Sequence, residues 1–134
     1  MTLNEISSNT AFDILNSEKE SFLIDVRTEY EWTKIGVPNL KEINKTVLFI
    51  QWSNIIDINF VENFLSVLKS KFHFNNKLLF ICRSGSRSRL ASEIAIRNNF
   101  KNCYNISDGF EGLKSNGMID GWKPQNLPWT FMKS

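Results

Sequence analysis

The chain has 134 residues, of which 42% are hydrophobic and 22% charged, with 16 Lys+Arg against 14 Asp+Glu. That length suits one compact domain able to bury roughly two-thirds of its unfolded surface, and the apolar content excludes a disordered chain. A formal charge of +2 is too small to make nucleic acid or an anionic membrane the expected partner.

The longest apolar runs, Val47-Leu48-Phe49-Ile50 and Leu78-Leu79-Phe80-Ile81, fall far short of the ~20 residues of a membrane span. The start, Met1-Thr2-Leu3-Asn4-Glu5, lacks the basic and apolar regions of a secretory signal, and Cys82 and Cys103 are the only cysteines. A reducing, cytoplasmic setting is expected. No repeat, low-complexity tract or linker interrupts the pattern, so residues 1–134 read as a single domain.

In chain order, a short segment around Glu5-Ile6 precedes a helix over residues 9–16, with Ala11, Phe12, Ile14 and Leu15 at helical spacing and Ser7, Ser8 or Asn9 as N-cap. Phe22-Leu23-Ile24-Asp25-Val26 reads as a strand, and Thr28, Glu29 and Glu31 as the start of a short helix. Residues 46–52 form a second β-branched and aromatic run. A helical stripe then opens at Asn59 and fades at Asn75-Asn76. Lys77-Leu78-Leu79-Phe80-Ile81 has the continuous apolar character of a strand buried on both faces, and it ends at Cys82. Leu90, Ala91, Ile94 and Ala95 mark a further helix closing at Asn98-Asn99, and Cys103-Tyr104-Asn105-Ile106 is the next short strand. Alternating strands and helices imply an α/β class, with a mostly parallel sheet covered on both faces and ligands at the carboxyl ends of its strands.

Cys82 lies at such an end. Cys82-Arg83-Ser84-Gly85-Ser86-Arg87-Ser88 joins the buried strand to a helix, a turn that gathers backbone N–H groups and a helix dipole around one anion. Gly85 supplies the backbone freedom, and Arg83, Arg87 and Arg89 supply cations that favour a thiolate. A nucleophilic Cys82 is therefore expected, against the plainer reading of a small apolar residue finishing a core strand. Two chemistries use such a loop, phosphoryl transfer through a phosphocysteine and sulfur transfer through a persulfide. A cysteine phosphatase signature needs His before the cysteine and five residues before the arginine. Here Ile81 precedes Cys82 and only four residues separate it from Arg87, which weakens phosphatase or arsenate chemistry.

The chain resembles the rhodanese-like single-domain sulfurtransferases in Leu23-Ile24-Asp25-Val26-Arg27, in the Cys82 to Ser88 loop, and in Phe100-Lys101-Asn102-Cys103-Tyr104-Asn105-Ile106 followed by Asp108-Gly109-Phe110. Gly121-Trp122-Lys123-Pro124-Gln125-Asn126-Leu127-Pro128-Trp129 is similar to the family's terminal segment, so the likeness spans nearly the whole chain. It implies a three-layer α/β/α fold with a five-stranded mostly parallel sheet, and a thiosulfate-type sulfurtransferase with catalytic Cys82 carrying the persulfide. Arg83, Ser84, Gly85, Ser86, Arg87 and Ser88 would form the substrate-binding cradle, with Arg83 and Arg87 holding an anionic donor. No metal or organic cofactor is implied. The partners are a small sulfur donor and an acceptor, or a partner protein thiol.

The chain departs from the family's Gly-His-Ile-Pro-Gly-Ala with Ile35-Gly36-Val37-Pro38-Asn39-Leu40, where the missing histidine is expected to reflect local packing. The family's paired glycines appear as Asp108-Gly109, making Asp108 either a rim acid or, as the favoured reading, a solvated turn residue. Asp25 and Arg27 reach the same rim, where a structural ion pair or cap is favoured over substrate contact. Cys103 is expected to be buried and inert, and the tryptophans to anchor the core and tail. The competing functional reading is a rhodanese-like binding or redox-sensing module without rapid turnover.

Overall fold

The computed structural model describes residues 3–113 and 119–133. Its elements are β1 (Asn4–Ile6), α1 (Ser8–Ser17), β2 (Ser21–Asp25), α2 (Glu29–Lys34), β3 (Val37–Pro38), a 3-10 turn (Lys41–Ile43), β4 (Leu48–Phe49), α3 (Ile58–Lys71), β5 (Lys77–Ile81), α4 (Ser86–Arg97), β6 (Asn102–Ile106) and β7 (Trp129–Thr130). Five strands make one sheet in the order β1-β6-β5-β2-β4, all pairs parallel, and β3 pairs antiparallel with β7 in a separate ribbon.

The alternation of side chains along the central strands divides the core. From β2 and β5, Ile24, Leu78 and Phe80 face one way, against Phe64, Leu65 and Leu68 of α3 and Ala91, Ile94 and Ala95 of α4. Leu23, Leu79 and Ile81 face the other way, against Ala11 and Leu15 of α1, and against Leu40, Phe110 and Trp122. Two apolar layers on either side of one sheet give the expected α/β/α arrangement.

Local chemistry sets the boundaries. Ser7 caps α1 by accepting from Thr10 N at 3.1 Å, Thr28 caps α2, and Asp57 caps α3 by accepting from Phe60 N at 2.9 Å, so that α3 starts at Ile58, one residue ahead of the expected Asn59. Asn99 takes φ 78 after α4, as an asparagine at a helix end can. The run over residues 46–52 pairs as a strand only at Leu48–Phe49. Ile50 N and Trp52 N nevertheless continue along it to Asp25 O and Arg27 O, both at 3.0 Å. The β3–β7 ribbon has no counterpart in the sequence expectation: two residues per strand carry no readable period.

This topology places the ends of β2 and β5 side by side, with Asp25 opposite Ile81 and Val26 N bonded to Ile81 O at 3.0 Å. Whatever follows each strand, Arg27 in one case and Cys82 in the other, meets at the carboxyl edge of the sheet. Phe110 N and Glu111 N then bond to Cys82 O and Arg83 O, which packs the segment after β6 against the cysteine loop.

Candidate active site

Cys82 is 1% exposed, and its Sγ receives two hydrogen bonds from its own loop, from Gly85 N–H and from the Ser88 hydroxyl, both at 3.2 Å. Both donors are placed to meet negative charge on the sulfur. Of the loop residues expected to cradle the sulfur, Gly85 and Ser88 touch it, while Ser84 is half-buried and Ser86 exposed at the start of α4.

The turn depends on two glycines. Gly85 caps α4 with φ 104, and a Cβ there would lie 2.4 Å from Ser107 O. Gly109, the surviving member of the Asp108-Gly109 pair, has φ 66, and a Cβ would lie 2.3 Å from Arg83 O. The β6 end thus presses its backbone directly onto the loop.

Asn105 of β6 holds both sulfur donors. Its Oδ1 lies 2.6 Å from Ser88 Oγ, and its Nδ2 donates to Gly85 O at 3.1 Å and to the Glu5 carboxylate at 2.9 and 3.2 Å. The single Ser88 proton serves Asn105 or the sulfur, one at a time. Sequence reasoning passed over Asn105 as part of an apolar strand. The available signal was an amide at an inward position of such a strand, which demands buried partners.

The arginines are less free than the sequence implied. Arg87 forms a two-pronged ion pair with Glu31 of α2 at 2.7 and 2.8 Å. Burial raises the Glu31 carboxyl, but its bonds to Arg87 and Thr28 and the charges of Arg87 and Arg27 outweigh this and hold it below its ordinary value. The Glu31 hydrogen bond raises Arg87 in turn, with the charges of Glu31, Cys82 and Asp25 adding to it. Arg83 is 67% exposed, with Nε 3.4 Å from Glu111. Arg89 turns outward to Glu93 and Glu5. Glu31 was legible only as a helix-start residue, since its role depends on a partner 56 positions away. Tyr30, Glu31, Ile35, Arg83, Arg87 and Glu111 together line a cleft of about 330 Å³ at the loop.

Asp25 and Arg27 form an ion pair at 2.7 Å with both side chains fully buried. Trp32 Nε1 also donates to Asp25, and Arg27 donates to Gly36 O at 2.8 Å and lies over the Phe110 ring. Asp108 departs from both expectations: it is neither a solvated turn residue nor a rim acid but buried, accepting from Ser8 N, Ser8 Oγ and Gly121 N. Three donors converge there, so the carboxylate fastens α1 and the tail to the end of β6. At Gly36, where the family often has histidine, a Cβ would lie 2.8 Å from the Trp129 ring, so Trp129 packs over the place a side chain would leave. Both cysteines are free, and burial pushes the Cys103 thiol up to about 12. Among the described residues no cluster of His, Cys, Asp and Glu is placed to hold a metal ion, and no helix is long and apolar enough to cross a membrane.

A cysteine in a donor-lined strand-to-helix turn, at the carboxyl edge of a parallel α/β/α sheet, defines the class of this protein. Residues 3–134 match the family described as STR4 middle domain. The uncharacterized protein RC0915 of Rickettsia conorii is 45% identical over 131 residues, 98% of this chain and 100% of the relative. The rhodanese-like domain-containing protein 4, chloroplastic, of Arabidopsis thaliana is 29% identical over 125 residues, 92% of this chain but 25% of that protein. Among solved structures, Rv0390 from M. tuberculosis has a TM-score of 0.79 at 33% identity, covering 95% of this chain and 96% of that one. The polysulfide-sulfur transferase homodimer of Wolinella succinogenes has a TM-score of 0.70 at 21% identity, covering 97% and 80%, and shows the shared fold. The chain belongs to the rhodanese-like family.

Proposed function

We propose that this protein is a sulfurtransferase that cycles Cys82 between thiolate and persulfide. The observation that supports it most directly is the pair of donors on Cys82 Sγ, the Gly85 N–H and the Ser88 hydroxyl, both at 3.2 Å. The thiolate attacks the outer sulfur of a sulfane donor. The new S–S bond forms on Cys82 as the donor's own sulfur bond breaks, and its electron pair leaves with the departing group, sulfite in the case of thiosulfate. A thiophilic acceptor, a small molecule or a partner protein thiol, then takes the outer sulfur and regenerates the thiolate. The loop donors suit both anions, since a terminal persulfide sulfur carries the charge the thiolate carried. A reducing compartment, such as the cytoplasm, fits two unpaired cysteines.

Intact mass after exposure to thiosulfate or to a small-molecule persulfide, followed by a cyanide chase with thiocyanate detection, tests the cycle. Wild type is expected to gain one sulfur and lose it to cyanide, and Cys82→Ser to gain none; transfer that survives in the mutant would refute the proposal. The near-complete burial of Cys82 supports one alternative, a binding or redox-sensing module in which the loop recognises a partner without rapid turnover. Failure of both donors to load a reduced, folded protein would favour that alternative.

A further inference from the structure

We infer that the cleft walled by Arg83 and Arg87 of the Cys82 loop selects an uncharged or singly charged persulfide donor over dianionic thiosulfate, because Glu31 and Glu111 already engage the two arginines that would hold the dianion. The inference rests on the sulfurtransferase reading and names the donor class for that site.

The cleft lining contains two guanidinium groups, Arg83 and Arg87, and two carboxylates, Glu31 and Glu111, together with Tyr30 and Ile35. Its formal charges cancel. Arg87, the less exposed of the two arginines, spends both prongs of its fork on Glu31 at 2.7 and 2.8 Å. Glu31 is also held by the N-cap of α2, the Thr28 hydroxyl donating to its carboxylate at 3.0 Å and accepting from its backbone N–H at 3.4 Å. Swinging the carboxylate aside would cost it the Thr28 bond as well as both bonds to Arg87. Arg83 can turn outward, but it has Glu111 3.4 Å away.

The two donor classes ask different things of this wall. With thiosulfate, two negative charges must enter beside a thiolate and two must leave on sulfite, so the site has to supply unspent positive charge. With a persulfide R–S–SH, the Cys82 thiolate attacks the outer sulfur and the S–S bond breaks. The proton of the outer sulfur passes to the departing sulfur, giving Cys82–S–S⁻ and neutral R–SH. No dianion enters or leaves, and Tyr30 and Ile35 offer apolar surface to R. A charge-balanced wall suits the second reaction.

The test measures kcat/KM for thiosulfate and for the persulfide of 2-mercaptoethanol, with cyanide as acceptor, in wild type, Glu31→Gln and Glu111→Gln. Glutamine keeps one acceptor oxygen for Thr28 or Arg87 while removing the charge, and circular dichroism checks the fold. Glu31→Gln is expected to raise the thiosulfate-to-persulfide ratio of kcat/KM about tenfold, with a smaller rise in Glu111→Gln. Thiosulfate turnover should also gain a salt dependence that wild type lacks, a response that loosened packing alone would not produce. A ratio unmoved in both variants, or steep salt dependence in wild type, overturns the inference while leaving sulfur transfer intact. If neither donor loads Cys82 in wild type, the inference and the sulfurtransferase reading fall together.

Discussion

Cys82 depends on a residue that never touches it. Asn105 holds the Ser88 hydroxyl through Oδ1 and the Gly85 carbonyl through Nδ2, and those two residues supply the only loop donors within hydrogen-bond distance of the sulfur among the described residues. In Asn105→Ala both tethers go: the Gly85 carbonyl loses its side-chain donor, and the Ser88 hydroxyl, although its proton is then free for the sulfur, loses the partner that fixes its position. Alkylation of Cys82 by iodoacetamide at neutral pH is expected to slow by roughly tenfold or more, as loss of positioning does. The unpaired buried groups should cost about 1–3 kcal/mol of stability. An alkylation rate equal to wild type would show that the donors aim themselves. Glu31 adds a pH dependence. Its folded-state carboxyl lies below the ordinary 4.5, so its contribution to stability is complete above about that pH and disappears as pH falls through the folded value. The stability difference between wild type and Glu31→Gln should accordingly be widest near neutrality and close in acid, as denaturant midpoints across pH would record.

At the scale of elements, the cysteine loop is clamped between the start of α4 and the end of β6, and the clamp requires Gly109. With φ 66 and a virtual Cβ 2.3 Å from Arg83 O, Gly109→Ala must both strain its own backbone and push the loop away. We expect a loss of roughly 1–2 kcal/mol from the left-handed conformation and a further ~1–3 kcal/mol from overpacking. Sulfur loading should fall with stability, and a urea midpoint unchanged from wild type would remove the clamp from the account. The elements that the sequence made legible were those with a long apolar period or a capping residue. Lys77–Ile81 announced itself as a buried strand, and the Cys82 turn followed from where that strand stopped. The two-residue strands Val37–Pro38 and Trp129–Thr130 could not be read, because their pairing arises when the tail returns across Gly36. The cysteine, its glycine and Ser88 were legible for the same reason: they lie within seven consecutive residues. Glu31, Asn105 and Glu5 were not, since their contacts with the loop exist only after β1, α2 and β6 have assembled around it.

Across the whole molecule, the sheet separates two apolar layers, and the buried Asp25–Arg27 pair joins the sheet to the wall of the site. Arg27 ties the end of β2 to Gly36 O ahead of β3 and lies 4.3 Å from the centre of the Phe110 ring, while Asp25 receives Trp32 Nε1 from α2. Both side chains are fully buried, and Arg27 Nη1 has no hydrogen-bond partner, so the pair is an expensive way to hold these elements together. Removing only the cation exposes that cost. In Arg27→Met the Asp25 carboxylate keeps its Trp32 and backbone donors but loses its countercharge, and stability should drop by about 3–5 kcal/mol. Replacing both partners, Asp25→Leu with Arg27→Met, removes the stranded charge and should recover much of the loss, because two apolar side chains of similar bulk fill the same space. Guanidinium denaturation of the two variants beside wild type makes the comparison. A single variant within about 1 kcal/mol of wild type would mean that water reaches Asp25, whereas a double variant no more stable than the single would mean that the directional bonds to Gly36 and Trp32, rather than charge balance, hold α2 and β3 against the sheet.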